Sequence, residues 1–166
     1  MELLGYVIEL TIGLAGFAGV IAVFSQRTDA TLELDRWRLM NLIMSAIGPA
    51  FLSFAALGLA SWLGDIPRVW QVSSALLASY LAIVVLTASM GRSRIPAAQR
   101  ALVNNRFFPF GVGFLLITAL VQTLSATTLV RPSFELFYLG LISTLLLGVY
   151  VFVQSVLGGM RSLNNA

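Results

Sequence analysis

The chain contains no cysteine, no histidine and no lysine. Without cysteine there is no disulfide, no thiolate nucleophile and no sulfur-ligated cluster. Without histidine there is no imidazole base, no Ser-His-Asp triad and no usual metal or haem ligand. Without lysine there is no Schiff base and no phosphate-loop lysine. These absences remove most enzyme mechanisms, so the chain is not expected to be an enzyme, and no cofactor or metal is expected. The side chains left for charge chemistry are seven carboxylates, four tyrosines and ten arginines that stay cationic.

Charge is scarce as well. Only 10% of the 166 residues are charged, while 58% are hydrophobic. Soluble domains carry about 25% charged residues. A soluble protein of this size could not hide so much apolar side chain in one core, and a disordered chain would be polar. A bilayer solves the problem by solvating apolar faces. The fold class is therefore an all-α integral membrane protein.

A hydrocarbon core of about 30 Å needs roughly 20 apolar residues in a helix. Five stretches qualify, near 3–24, 39–63, 69–90, 108–130 and 134–157. They predict one domain, a bundle of about five transmembrane helices. The first stretch is expected to be a retained anchor, because Glu2 precedes it and the first arginine, Arg27, follows it. Arg131-Pro132-Ser133 separates the last two spans, since proline suits a helix start better than an interior.

The arginines set an expected orientation. Arg27, Arg36, Arg38, Arg92, Arg94, Arg100, Arg106 and Arg161 fall on one side of a five-span chain, and Arg68 and Arg131 on the other. Short cytoplasmic loops carry the excess of arginine. The expectation is an N-terminus outside, a C-terminus in the cytoplasm, and residence in the inner (cytoplasmic) membrane of a bacterium. Arg36, Arg38, Arg92 and Arg94 are expected to serve topology and to meet anionic lipid headgroups. No single-sign charge run suggests nucleic acid as a partner. The 91–107 loop is expected on the cytoplasmic side, with a short interfacial helix after Pro96.

Within the spans, a few residues stand out. Glu9 is the only charge inside the first apolar run, and Glu2, Gly5, Glu9, Gly13 and Gly16 recur every three or four residues, on one helix face. Gly19 extends the small-residue pattern through Ala15. Small residues in membrane helices mark close approach of another helix, so this face is expected to be buried in packing. An acid there suggests either an ion or proton site, or an ion pair with Arg68 or Arg131 from the outer loops. Gln122, with Thr118 and Ser125 on its face, is a second candidate, for bonding between helices or for lining a wet path. Pro49 should kink the second span and free the Ser45 carbonyl, which Ser45 or Asn41 side chains would satisfy. Gly140, Thr144 and Gly148 form another small face, for packing within the chain or between chains.

Three functions follow from this inventory. The first is a channel or transport protein for ions or a small solute, probed at Glu9 and Gln122, with the path between subunits of a homo-oligomer. The second is a non-catalytic accessory or scaffold subunit of a larger membrane complex. The third, a lipid-modifying enzyme using carboxylates alone, has the least support, because few acids sit near the interface. Membrane lipids and either further copies or partner membrane subunits are the expected partners.

Overall fold

The computed structural model describes residues 2–24, 32–64, 66–96 and 107–164. The expected helix after Pro96, and Arg27, Arg100 and Arg106, lie outside them; the side chain of Arg161 is likewise not described. Among the described residues there are five helices and no strand: α1 Glu2–Phe24, α2 Leu32–Leu63, α3 Pro67–Arg94, α4 Phe107–Ala126 and α5 Phe134–Asn164. The all-helical membrane-type fold follows. Among the described residues, four stretches are long and apolar enough to cross a membrane: Arg36–Leu63, Pro67–Arg94, Phe108–Ala126 and Phe134–Val153.

The connections explain the up-and-down order. Gly64 ends α2 at φ 82°, a left-handed conformation that glycine adopts without strain, and its N–H returns 2.9 Å to the Ala60 carbonyl. Pro67 then opens α3 in the first turn, where a missing N–H costs nothing. At the α4–α5 corner Thr128 takes φ 63°, and the Val130 N–H returns 3.1 Å to the Leu124 carbonyl. This six-residue closure ends α4 at Ala126, four residues short of the expected span. Ser133 caps α5, accepting the Leu136 N–H at 3.4 Å.

Helix α2 also begins earlier than the hydropathy suggests. Its first turns carry acids and arginines, yet Leu34 is buried against Ile95 with Trp37 beside it. At 1.5 Å per residue the 32 residues of α2 extend about 48 Å, longer than the hydrocarbon core, so the charged start projects into the headgroup layer.

The core is an unbroken cluster drawn from all five helices, including Leu4, Leu42, Leu77, Leu115, Phe137 and Leu141. Helix α5 packs against α1, α2, α3 and α4 and is the centre of the bundle. Its glycines make that possible. A Cβ at Gly140 would lie 2.5 Å from Gln122 Nε2 and 2.7 Å from Leu77 Cδ2, and one at Gly148 would lie 2.8 Å from Ser45 Oγ and 3.0 Å from Leu14 Cδ2. The Gly140–Gly148 face therefore packs within the chain, against α1, α2, α3 and α4. Outward, the helices present large apolar side chains such as Phe51, Phe54, Phe110, Ile117 and Leu139. Water would penalise such a surface and lipid solvates it.

Candidate functional site

Helix α1 meets the bundle through Leu4, Val7, Thr11 and Leu14, all buried. At 3.6 residues per turn these four lie on the side opposite Glu9. Glu9, Gly13, Gly16 and Gly19 are exposed, and a Cβ at any of the three glycines would meet nothing within 4 Å. The face expected to be buried in packing thus points away from the chain's own core. The physical reason is the larger apolar area of the opposite face, which wins the contact with α2 and α5. Arg68 and Arg131 are exposed, and among the described residues Glu9 forms no ion pair with either. The acid sits seven residues into α1, roughly 10 Å along its axis.

Gln122 has the opposite environment. It is only 1% exposed, and its Nε2 donates to the Leu136 carbonyl in the first turns of α5 at 2.7 Å. Its Oε1 has no hydrogen-bond partner among the described residues. Ser125, on the same face and fully buried, accepts from Ser74 Oγ at 3.3 Å, and one turn earlier on α3 Gln71 Nε2 donates to the Ala126 carbonyl at 2.8 Å. Thr118 turns back on its own helix, donating to Phe114. The polar face of α4 therefore joins helices α3, α4 and α5 at the end of the bundle away from Arg36 and Arg92.

Pro49 is buried inside α2, and the carbonyls near it are handled differently from expectation. Ser45 Oγ donates to Leu42 and Asn41 Nδ2 to Trp37, so neither reaches the Ser45 carbonyl. Instead Tyr80 of α3 lays its ring across Gly48 and donates its hydroxyl to the Met44 carbonyl. A hydroxyl from the neighbouring helix thus bonds to the backbone one residue from the carbonyl that the proline frees. Sequence spacing carried no sign of Tyr80, which is 36 positions from Met44; the glycine before the proline was the only local signal.

The other end of the bundle carries Arg36, Arg38, Arg92 and Arg94. Arg36 and Arg94 are exposed and Arg38 and Arg92 half-buried. Trp37 Nε1 donates to the Ala88 carbonyl at 3.0 Å, and its ring approaches Phe108 at 6.0 Å between centroids. The Arg92 guanidinium lies over the same Phe108 ring at 4.1 Å. Gly91 leaves room for this arrangement, since a Cβ there would fall 2.6 Å from Trp37 Cδ1. Beneath the aromatic pair a cleft of about 90 Å³ opens between α2, α3, α4 and α5. No sequence motif announced the cleft, because its walls come from four separate helices.

Among the described residues no group of three acids is placed to hold a metal ion. Compared with models of known protein families, with curated proteins and with solved structures, the chain matches none.

Proposed function

We propose that this is a multi-pass protein of the bacterial inner membrane, with α1 as a fifth span, that assembles through the outer face of α1 and passes ions or a small solute along the shared interface. In this reading the N-terminus is outside, the C-terminus is cytoplasmic, and no catalysis is involved. The observation that carries it is the placement of Glu9 on the side of α1 opposite the bundle, within a row of glycines. A charged side chain facing hydrocarbon costs about 2.5–3.5 kcal/mol near the bilayer centre on insertion scales, and the cost falls toward the interface. A second copy removes that exposure, and the glycines let two helix backbones approach closely. Copies of Glu9 around a common axis would form a ring of carboxylates of the kind that cation pathways use. The path belongs to the interface, since the Gln122 amide N–H, Ser125 and Gln71 join helices inside a bundle that the single chain already closes.

The test is flux through liposomes. The purified chain should carry protons or potassium ions, and Glu9→Gln should abolish the flux while the oligomer persists. A parent protein that passes neither, and that co-purifies with one fixed membrane partner, would replace this reading with the accessory-subunit one. The interhelical use of Gln71, Ser74, Gln122 and Ser125 favours that second reading, because it leaves the single chain a closed bundle.

A further inference from the structure

The cleft at the arginine-bearing end has a chemistry that neither lipid-facing surface nor helix packing requires. The half-buried Arg38, Asn41 and Tyr150 line it toward its mouth, and the buried Val84 and Leu115 line its depth. The volume of about 90 Å³ is well above the ~10–15 Å³ that one water needs, and the apolar walls offer water few partners. A cation beside an apolar slot suits a ligand with an anionic head and an alkyl chain. The site is also at the right depth. Trp37 and Tyr150 line it, and aromatic rings with polar edges settle at the headgroup level. Arg92, held over Phe108, adds a second positive charge beside the mouth.

We propose that this cleft binds an acidic phospholipid of the surrounding leaflet, with the phosphate at Arg38 and the start of one acyl chain in the cleft's apolar lining. Arg38 is thereby a specific headgroup ligand as well as a topology signal. Gly111 and Leu147 close the α4–α5 side of the cleft, since a Cβ on residue 111 would meet Leu147 Cδ1 at 3.2 Å, so the chain lies against Val84, Val112 and Leu115. The site is independent of the α1 interface, so either can fail without the other.

The experiment uses the full chain in mixed micelles with Trp62→Phe, so that Trp37 at the mouth reports against the buried Trp70. Brominated phosphatidylglycerol should quench the fluorescence saturably, at a lower mole fraction than brominated phosphatidylcholine of the same chains. Arg38→Gln should raise the half-saturating fraction roughly five-fold, the effect of about one basic charge near a membrane surface. Val112→Phe should fill the slot and remove the saturable component; if it does not fold, the Arg38→Gln shift still decides the matter. Equal quenching by the two lipids, or no shift with Arg38→Gln, would overturn the proposal. Competition by glycerol phosphate as strong as that by the lipid would also overturn it, since it would mean an anion site with no place for a chain.

Discussion

Replacing Gly140 by alanine tests how the centre of the bundle is held. In a helix interior the change alone favours folding by about 1 kcal/mol. Here the new Cβ would lie 2.5 Å from Gln122 Nε2 and 2.7 Å from Leu77 Cδ2. Overpacking of this kind costs about 1–3 kcal/mol. The amide is not free to swing aside, because it donates to Leu136 at 2.7 Å; displacing it leaves a buried donor unsatisfied, at about 1–3 kcal/mol. Central values give a net loss of roughly 3 kcal/mol for Gly140→Ala. If the clash with Gln122 is the cause, Gln122→Ala should relieve most of it. Gly140→Ala should then be nearly neutral in the Gln122→Ala background, where only the mobile end of Leu77 must move. The expected coupling is about 3 kcal/mol, at the upper end of the range for residues in direct contact. Unfolding in micelles by increasing sodium dodecyl sulfate, followed by circular dichroism, measures all four proteins. Losses that add to within ~0.5 kcal/mol would refute the reasoning, because they would mean that Gln122 and Gly140 do not share space.

Two further outcomes are expected from the same unfolding assay and from size analysis in mild detergent. Tyr80→Phe should cost about 1 kcal/mol, the net value of one hydrogen bond, since the ring still covers Gly48 while the Met44 carbonyl loses its donor; no loss would mean that this hydroxyl does not support the proline turn. Gly16→Ala should leave the single chain as stable as before or raise it by up to about 1 kcal/mol, there being open space at that position, yet it should shift the assembled form toward monomer. A stability loss in the monomer would place Gly16 inside the chain's own packing instead.

The helical fold was largely written in hydropathy. Long apolar runs broken by Gly64-Asp65-Ile66-Pro67 and Arg131-Pro132-Ser133 make helices with tight corners, although α2, α3 and α5 extend past the apolar runs and α4 stops short. The exceptions have local causes. Leu34 and Trp37 find Ile95 and so extend α2 into the charged segment, and Thr128 turns left-handed and so shortens α4. Faces were harder to read. Glycine spacing looks the same in α1 and α5, but only the α5 glycines meet neighbours in the chain. What separates them is which face of each helix offers more apolar surface to the rest of the bundle, a property of the assembled helices and not of the spacing. For the same reason Gln122 and Ser125 could be placed on one face but their partners, Leu136 and Ser74, could not be named. Contacts between distant positions, such as Tyr80 with Met44 and Arg92 with Phe108, left no periodic trace.

The central claim is that the Glu9–glycine face of α1 meets a second copy. Because the natural sequence has no cysteine, a single one placed by Val20→Cys, exposed on the Glu9 face one turn beyond Gly16, reports that contact without filling a glycine, and a disulfide forms only if the two Cα atoms come within about 7 Å. Ile117→Cys, exposed on α4, is the control. Oxidation in native membranes should give a covalent dimer with Val20→Cys and leave the Ile117→Cys chain monomeric. A Val20→Cys chain that stays monomeric, or equal dimer from both positions, would contradict the account.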